Sequence, residues 1–151
     1  MAKFVFKMQN ILEVKLKLED QAKSAYAAAK ATLEAEKEKQ RLLEVRKEGY
    51  EEQLTSVMSD SLCVMEICRL ENAVEVMKIR IQEQMVIVRN AELQLKKAQK
   101  VLQDAMVERK TYEKLKENAF EEFKQEMNAQ EKKEIDELVS YKFSIPQEEV
   151  I

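Results

Sequence analysis

Carboxylates are the residues of this chain best supplied for chemistry. Asp and Glu together number 29, and they recur at i,i+3 and i,i+4, spacings that place two of them on one helix face. Paired carboxylates perform acid–base or metal chemistry only where a pocket drives their pKa values apart. Nothing in the sequence builds such a pocket. There is no His to act as base or ligand, and no CxxC or HExxH spacing. Cys63 and Cys68 stand five apart, on different faces of a helix, which makes them poor disulfide partners. Their default is reduced thiols acting as small apolar residues. The carboxylates therefore read as solvated helical surface, interleaved with 26 Lys and Arg for a net charge of −3. No catalytic, cofactor-binding or metal-binding residue is expected, no cofactor is implied, and the chain is not expected to be an enzyme. Mixed signs near neutrality indicate neither a nucleic-acid partner nor a general membrane surface. Function then lies in shape and contacts.

The elements that must carry those contacts follow from what is missing. One Gly and one Pro occur in 151 residues, where an average domain would hold roughly 18 of the two together. Sheets need turns, and turns need such residues. The expected fold is all-α, two long antiparallel helices forming a single coiled-coil hairpin over residues 1–151. The stretch MAKFVFKMQNILEVK holds no apolar run of signal-peptide length, and no segment approaches the roughly 18 apolar residues of a membrane span. The cluster Thr55–Ser61 is the one candidate turn, with Ser59, Asp60 and Ser61 competent to cap a following helix. Gly49 lies just before it, and Pro146 stops the second helix. Helix 1 is expected at about 4–57, the turn at about 58–61, helix 2 at about 62–142, and a disordered tail at 144–151.

Hydrophobic spacing supports this. Val74, Ile81, Val88, Leu95 and Leu102 recur every seven residues, and Leu70, Met77, Ala91, Ala98 and Ala105 interleave with them, broken at Gln84. That is the heptad pattern of a left-handed coiled coil. Helix 1 offers a weaker stripe that includes Leu12, Ala22, Tyr26, Leu33, Leu43 and Leu54. Glu13→Lys17, Glu19→Lys23 and Glu92→Lys96 are spaced to pair one turn apart. A parallel homodimer is the alternative to the hairpin.

Two features exceed what a bare hairpin needs. Helix 2 outruns helix 1 by about 27 residues, or roughly 40 Å. This overhang, expected from Leu115 onward, has its own apolar stripe through Ala119, Phe123, Met127, Ile135 and Leu138, with Phe120 beside it. The plain reading is homodimerisation or fraying; the functional reading is a docking element. Second, with Val74 as an a position, the outward f positions are Met65, Ile79, Val86 and Leu93, joined by Val76 at c and Ile87 at g. Apolar residues there mark a partner surface or a wider bundle.

The two ends of the chain also carry a resemblance. Phe4-x-Phe6-Lys7-Met8-Gln9-Asn10-Ile11-Leu12 is similar to the start of FliJ-family proteins of the bacterial flagellar type III export apparatus. The run Glu108-Arg109-Lys110-Thr111-Tyr112-Glu113-Lys114-Leu115-Lys116-Glu117 resembles the first part of the family's C-terminal signature. Phe123, Glu131-Lys132-Lys133-Glu134-Ile135-Asp136-Glu137-Leu138 and Tyr141-Lys142-Phe143 continue it. The resemblance covers about residues 4–143, and through the middle it is one of pattern alone. It implies a coiled-coil hairpin like the stalk of a rotary ATPase, with its terminal end in the pore of the hexameric export ATPase. Further implied partners are the export-gate membrane protein and export chaperones. The implied location is cytoplasmic, peripheral at the inner face of the cell membrane. Ring contacts are then expected at Lys7, Gln9, Lys15, Arg109, Lys110, Glu113, Lys114, Lys116, Asp136, Glu137 and Leu138, each charged one also readable as solvated surface. The heptad argument places a second partner surface on Met65, Val76, Ile79, Val86 and Ile87. The hairpin reading expects a monomer in isolation. The alternatives are the equivalent stalk of a virulence secretion system, a tentacle chaperone of the prefoldin kind, and a structural homodimer.

Overall fold

The structure is a computed structural model that describes residues 2–60 and 63–144. It has two elements, α1 (Gln9–Asp60) and α2 (Val64–Ser144), of 52 and 81 residues. Among the described residues there is no strand. The second helix is the longer, as the position of the candidate turn implies.

The boundaries differ from expectation for local reasons. Residues 4–8 are not helical; α1 starts at Gln9, whose N–H donates to the Phe6 carbonyl at 3.2 Å and closes a turn. At the other end α1 continues through 58–60, where the turn was expected. The hydroxyls there do not cap a new helix. Thr55 Oγ1 and Ser59 Oγ each donate to the carbonyl four residues back, at 3.0 Å, and so stay within α1. Ser61 lies outside the described residues. Helix α2 begins at Val64, later than 62, with the Cys63 carbonyl accepting the Ile67 N–H at 3.0 Å. It includes Ser144, whose hydroxyl donates to the Tyr141 carbonyl at 3.0 Å. The rest of the expected tail, including Pro146, lies outside the described residues.

The chain divides into two compact units, Met1–Lys17 with Met106–Ile151, and Leu18–Ala105. In the second unit α1 and α2 run antiparallel: Leu33 packs with Val88 and Ala91, flanked by Leu95, while Glu36 meets Gln84. The seam of α2 there matches the heptad pattern, with Leu70, Val74, Met77, Val88 and Ala91 all buried. Removing such side chains from water is the main stabilising term, about 1.5–3 kcal/mol for each large one.

The α1 side of that seam differs from an apolar stripe. Buried or half-buried residues alternate three and four apart as Glu19, Ala22, Tyr26, Ala29, Leu33, Glu36, Gln40, Leu43, Lys47, Tyr50, Leu54 and Val57. Four of these are polar, so the heptad is regular in geometry and irregular in chemistry. Glu19 is only 3% exposed and pairs with Lys23 at 3.4 Å. Of the three spaced pairs the sequence offered, this is the one that forms among the described residues.

In the first unit the start of α1 and the segment before it lie antiparallel along α2. Leu12 is buried, Lys15 reaches Glu108, and the Phe4 ring sits 5.2 Å from Phe120 and 5.5 Å from Phe123, centre to centre. The overhang therefore does not begin at Leu115. Phe4 folds over Phe120 and Phe123, and α2 is without cover only after Met127. Every residue from Asn128 to Ser144 is exposed.

Candidate protein-interaction surfaces

The expected ring contacts all fall in the unit that holds both ends of the chain, but they do not form one exposed patch. Gln9, Lys15, Arg109 and Lys116 are half-buried, Arg109, Tyr112, Lys116, Ala119 and Phe123 being the continuation of the α2 seam. Lys7, Lys110, Glu113, Lys114, Asp136, Glu137 and Leu138 are exposed.

Half-burial gives the first group structural partners. Lys15 Nζ donates to Glu108 at 2.8 Å and lies 5.9 Å from the centre of the Tyr112 ring. The hydrogen bond to Glu108 raises the Lys15 pKa, against a smaller opposing effect of desolvation. Arg109 Nη1 donates to Glu113 at 2.7 Å, and Lys114 pairs with Glu117 at 3.3 Å. Lys15 therefore ties α1 to α2 and Arg109 pairs along α2, whereas Lys7, Lys110 and the Asp136–Leu138 block are presented outward. The bare part of α2 adds exposed apolar residues, Ile135 at 59% and Leu138 at 65%.

The second expected surface belongs to the unit Leu18–Ala105. Met65, Val76, Ile79, Val86 and Ile87 are all exposed, Met65 at 84% and Ile79 and Val86 at 56%. Leu93 extends the row at 50%. On α1 of the same unit Leu42 and Val45 are also exposed and, with Lys39, Leu43, Arg46 and Gln84, line a shallow groove.

Sequence reasoning missed three groups. Phe4 falls within the expected helix 1 at about 4–57, and only its ring contacts reveal it as a clasp. Glu19 was read as half of a surface pair and is buried. Gln84 stood out as a break in the heptad, but its partner was invisible: its Nε2 donates to the Glu36 carbonyl and carboxylate. That hydrogen bond, with a smaller contribution from Lys39, holds the Glu36 carboxyl below its ordinary pKa. Glu38 is lowered in the same way by Arg41. Among the described residues no group of His, Cys, Asp and Glu is placed to hold a metal ion, and no helix is long and apolar enough to cross a membrane.

A family model described as the flagellar FliJ protein matches residues 4–148. The chain belongs to the FliJ family. Membership of this FliJ family supports a type III export stalk protein. No curated protein sequence gives a significant match. Among solved structures, a protein of Chlamydia trachomatis described as a homolog of YscO is similar in fold. The TM-score is 0.62 at 21% identity, over 98% of this FliJ-family chain and 100% of that one.

Proposed function

We propose that the chain is the stalk of a hexameric flagellar export ATPase, promoting its assembly or activity and linking it to the export gate and export chaperones. The observation that carries this reading is the family match over residues 4–148. The unit Met1–Lys17 with Met106–Ile151 supports it, because α2 there offers exposed Lys110, Lys114, Asp136, Glu137 and Leu138 beyond a self-contained seam. These residues, with Lys7, are the proposed ring contacts. A stalk acts by contacting some subunit conformations of a ring better than others, and that difference in contact energy is what biases assembly or hydrolysis.

Gln9, Lys15, Arg109, Glu113 and Lys116 have a second role in this reading. They hold the pairing that keeps the outward residues in place, and meet the ring through the parts of their side chains left accessible. The exposed row from Met65 to Ile87 is the proposed surface for the gate or a chaperone. The site of action is cytoplasmic, at the inner face of the membrane that bears the export apparatus.

Hydrolysis by the flagellar export ATPase, measured with increasing amounts of this chain, tests the reading. A rise in rate together with a rise in hexamer population is expected. Unchanged rate and unchanged hexamer population would overturn it.

A further inference from the structure

The outward face of α2 in the unit Leu18–Ala105 carries four cations that form no ion pair among the described residues. Between Val86 and Lys100 the outermost positions b, c and f hold Arg89, Lys96, Lys97 and Lys100 and no carboxylate, the one acid of the span being Glu92 at e, in a chain whose net charge is −3. Earlier on the same helix Arg69 lies 3.9 Å from Glu66 and Lys78 lies 3.1 Å from Glu75, while Arg80 forms no ion pair among the described residues. Among the described residues none of the four later cations forms an ion pair. Glu92 stands one turn before Lys96, at a spacing that permits a pair, without making one.

The same face is apolar along its midline. Ile79, Val86 and Leu93 recur every seven residues and are 56%, 56% and 50% exposed. Seven residues advance a helix by about 10.5 Å and bring the side chain back to nearly the same angle, so the three form a straight stripe. A stripe of this width fits one further helix in coiled-coil packing. A membrane surface is a poorer fit, since it needs a broad apolar face with cations on both sides. Here the cations flank Val86 and Leu93, while Ile79 stands between Glu75 and Glu83, so the acidic flank of a bound helix falls along the Val86–Lys100 part of the stripe.

We infer that this face seats an amphipathic helix of a partner protein, its apolar residues on Ile79, Val86 and Leu93 and its carboxylates against Arg89, Lys96 and Lys97. The inference rests on reading the outward face as the second partner surface and adds the chemistry of what binds there. Because the four cations have no ion-pair partner to give up, each ionic contact with the incoming helix is new. Such contacts set partner choice and approach rate, while the stripe supplies the buried area.

The test uses the full chain and two synthetic helical peptides with leucine at every seventh position. One is flanked by Glu; in the other, Lys replaces each Glu. The Glu peptide is expected to bind, more weakly at high salt, and the Lys peptide is not. Lys96→Glu with Lys97→Glu should weaken the Glu peptide about tenfold and admit the Lys peptide. Val86→Ser with Leu93→Ser should weaken it comparably while leaving helical content unchanged. No binding of the Glu peptide, equal binding of both, or indifference to the charge reversal overturns the inference. So does tighter, Lys96- and Lys97-dependent binding to phosphatidylserine vesicles than to the Glu peptide. ATPase stimulation is measured on the same variants. Its survival alongside a failed peptide experiment refutes the acidic-helix inference alone, and its absence alongside successful peptide binding refutes the stalk reading alone.

Discussion

Gln84 Nε2 donates to two oxygens of Glu36, the main-chain carbonyl at 2.9 Å and the carboxylate at 2.6 Å. The amide is 8% exposed and occupies a seam position where the heptad calls for an apolar residue. A polar residue at one such position fixes the register of a coiled coil at some cost in stability, because a slipped register would bury it without partners.

Replacing that amide therefore separates stability from register. Gln84→Leu is expected to raise unfolding stability by about 1 kcal/mol. It should also broaden the distance distribution between spin labels at Lys30 and Asn90, both exposed in the same unit. Chemical denaturation and pulsed electron paramagnetic resonance check the two effects. A lower stability with an unchanged distribution would show that Gln84 is only a packing residue.

The same bond gives an acid dependence. The hydrogen bond from Gln84 lowers the Glu36 pKa in the folded chain, and Lys39 adds to it. A lowered folded pKa means stability that is fully present above the ordinary carboxylate pKa and lost as pH falls through the lowered value. In Gln84→Leu that acid loss should shrink. Lys15 has the opposite sign: its pKa is raised, chiefly by the hydrogen bond from its ammonium to Glu108. Its contribution is present below the ordinary lysine pKa and lost as pH rises through the raised one. Glu108→Gln should therefore flatten the alkaline limb of the stability profile.

Phe4 is the side chain that anchors the non-helical segment 2–6 to α2, through Phe120 and Phe123. Phe4→Ala should cost about 1 kcal/mol and speed hydrogen exchange in residues 5–12, with the Leu18–Ala105 unit unaffected. Exchange read by mass spectrometry distinguishes local release from general loosening.

Gly49 lies inside α1, and a Cβ added there meets nothing within 4 Å. Gly49→Ala should stabilise the chain by about 0.5–1 kcal/mol, through helix propensity and a less flexible unfolded state. Thermal unfolding checks it; destabilisation would mean that a Cβ at this position is not accommodated by α1 as the open space implies.

Truncation after Asn128 removes α2 residues that are all exposed while retaining Phe120 and Phe123. The midpoint of unfolding should barely move, whereas stimulation of the export ATPase should be lost. Truncation after Lys114 is a less selective cut, because it also removes the partners of Phe4. Full stimulation by the 128-residue form would exclude the bare end of α2 as the docking element.

The long helices, their unequal length and the α2 seam were legible in the sequence. All three follow from local rules: scarcity of turn formers, a seven-residue apolar period, and helix propensity that acts within a few residues. Local rules also explain why the outward row Met65, Val76, Ile79, Val86 and Ile87 was found, since position in the heptad fixes direction. Tertiary structure decided the rest. The α1 seam contains Glu19, Glu36, Gln40 and Lys47, which an apolar count skips, and their place is set by the opposite helix. Lys15, Arg109 and Lys116 look like surface cations in a Lys- and Glu-rich text, yet pairing of distant segments makes them half-buried. Phe4 stands outside the helical path with its ring against Phe120 and Phe123, residues more than a hundred positions away that no local pattern points to. Periodicity specifies which face of a helix is covered; only the side chains brought from far along the chain specify what covers it.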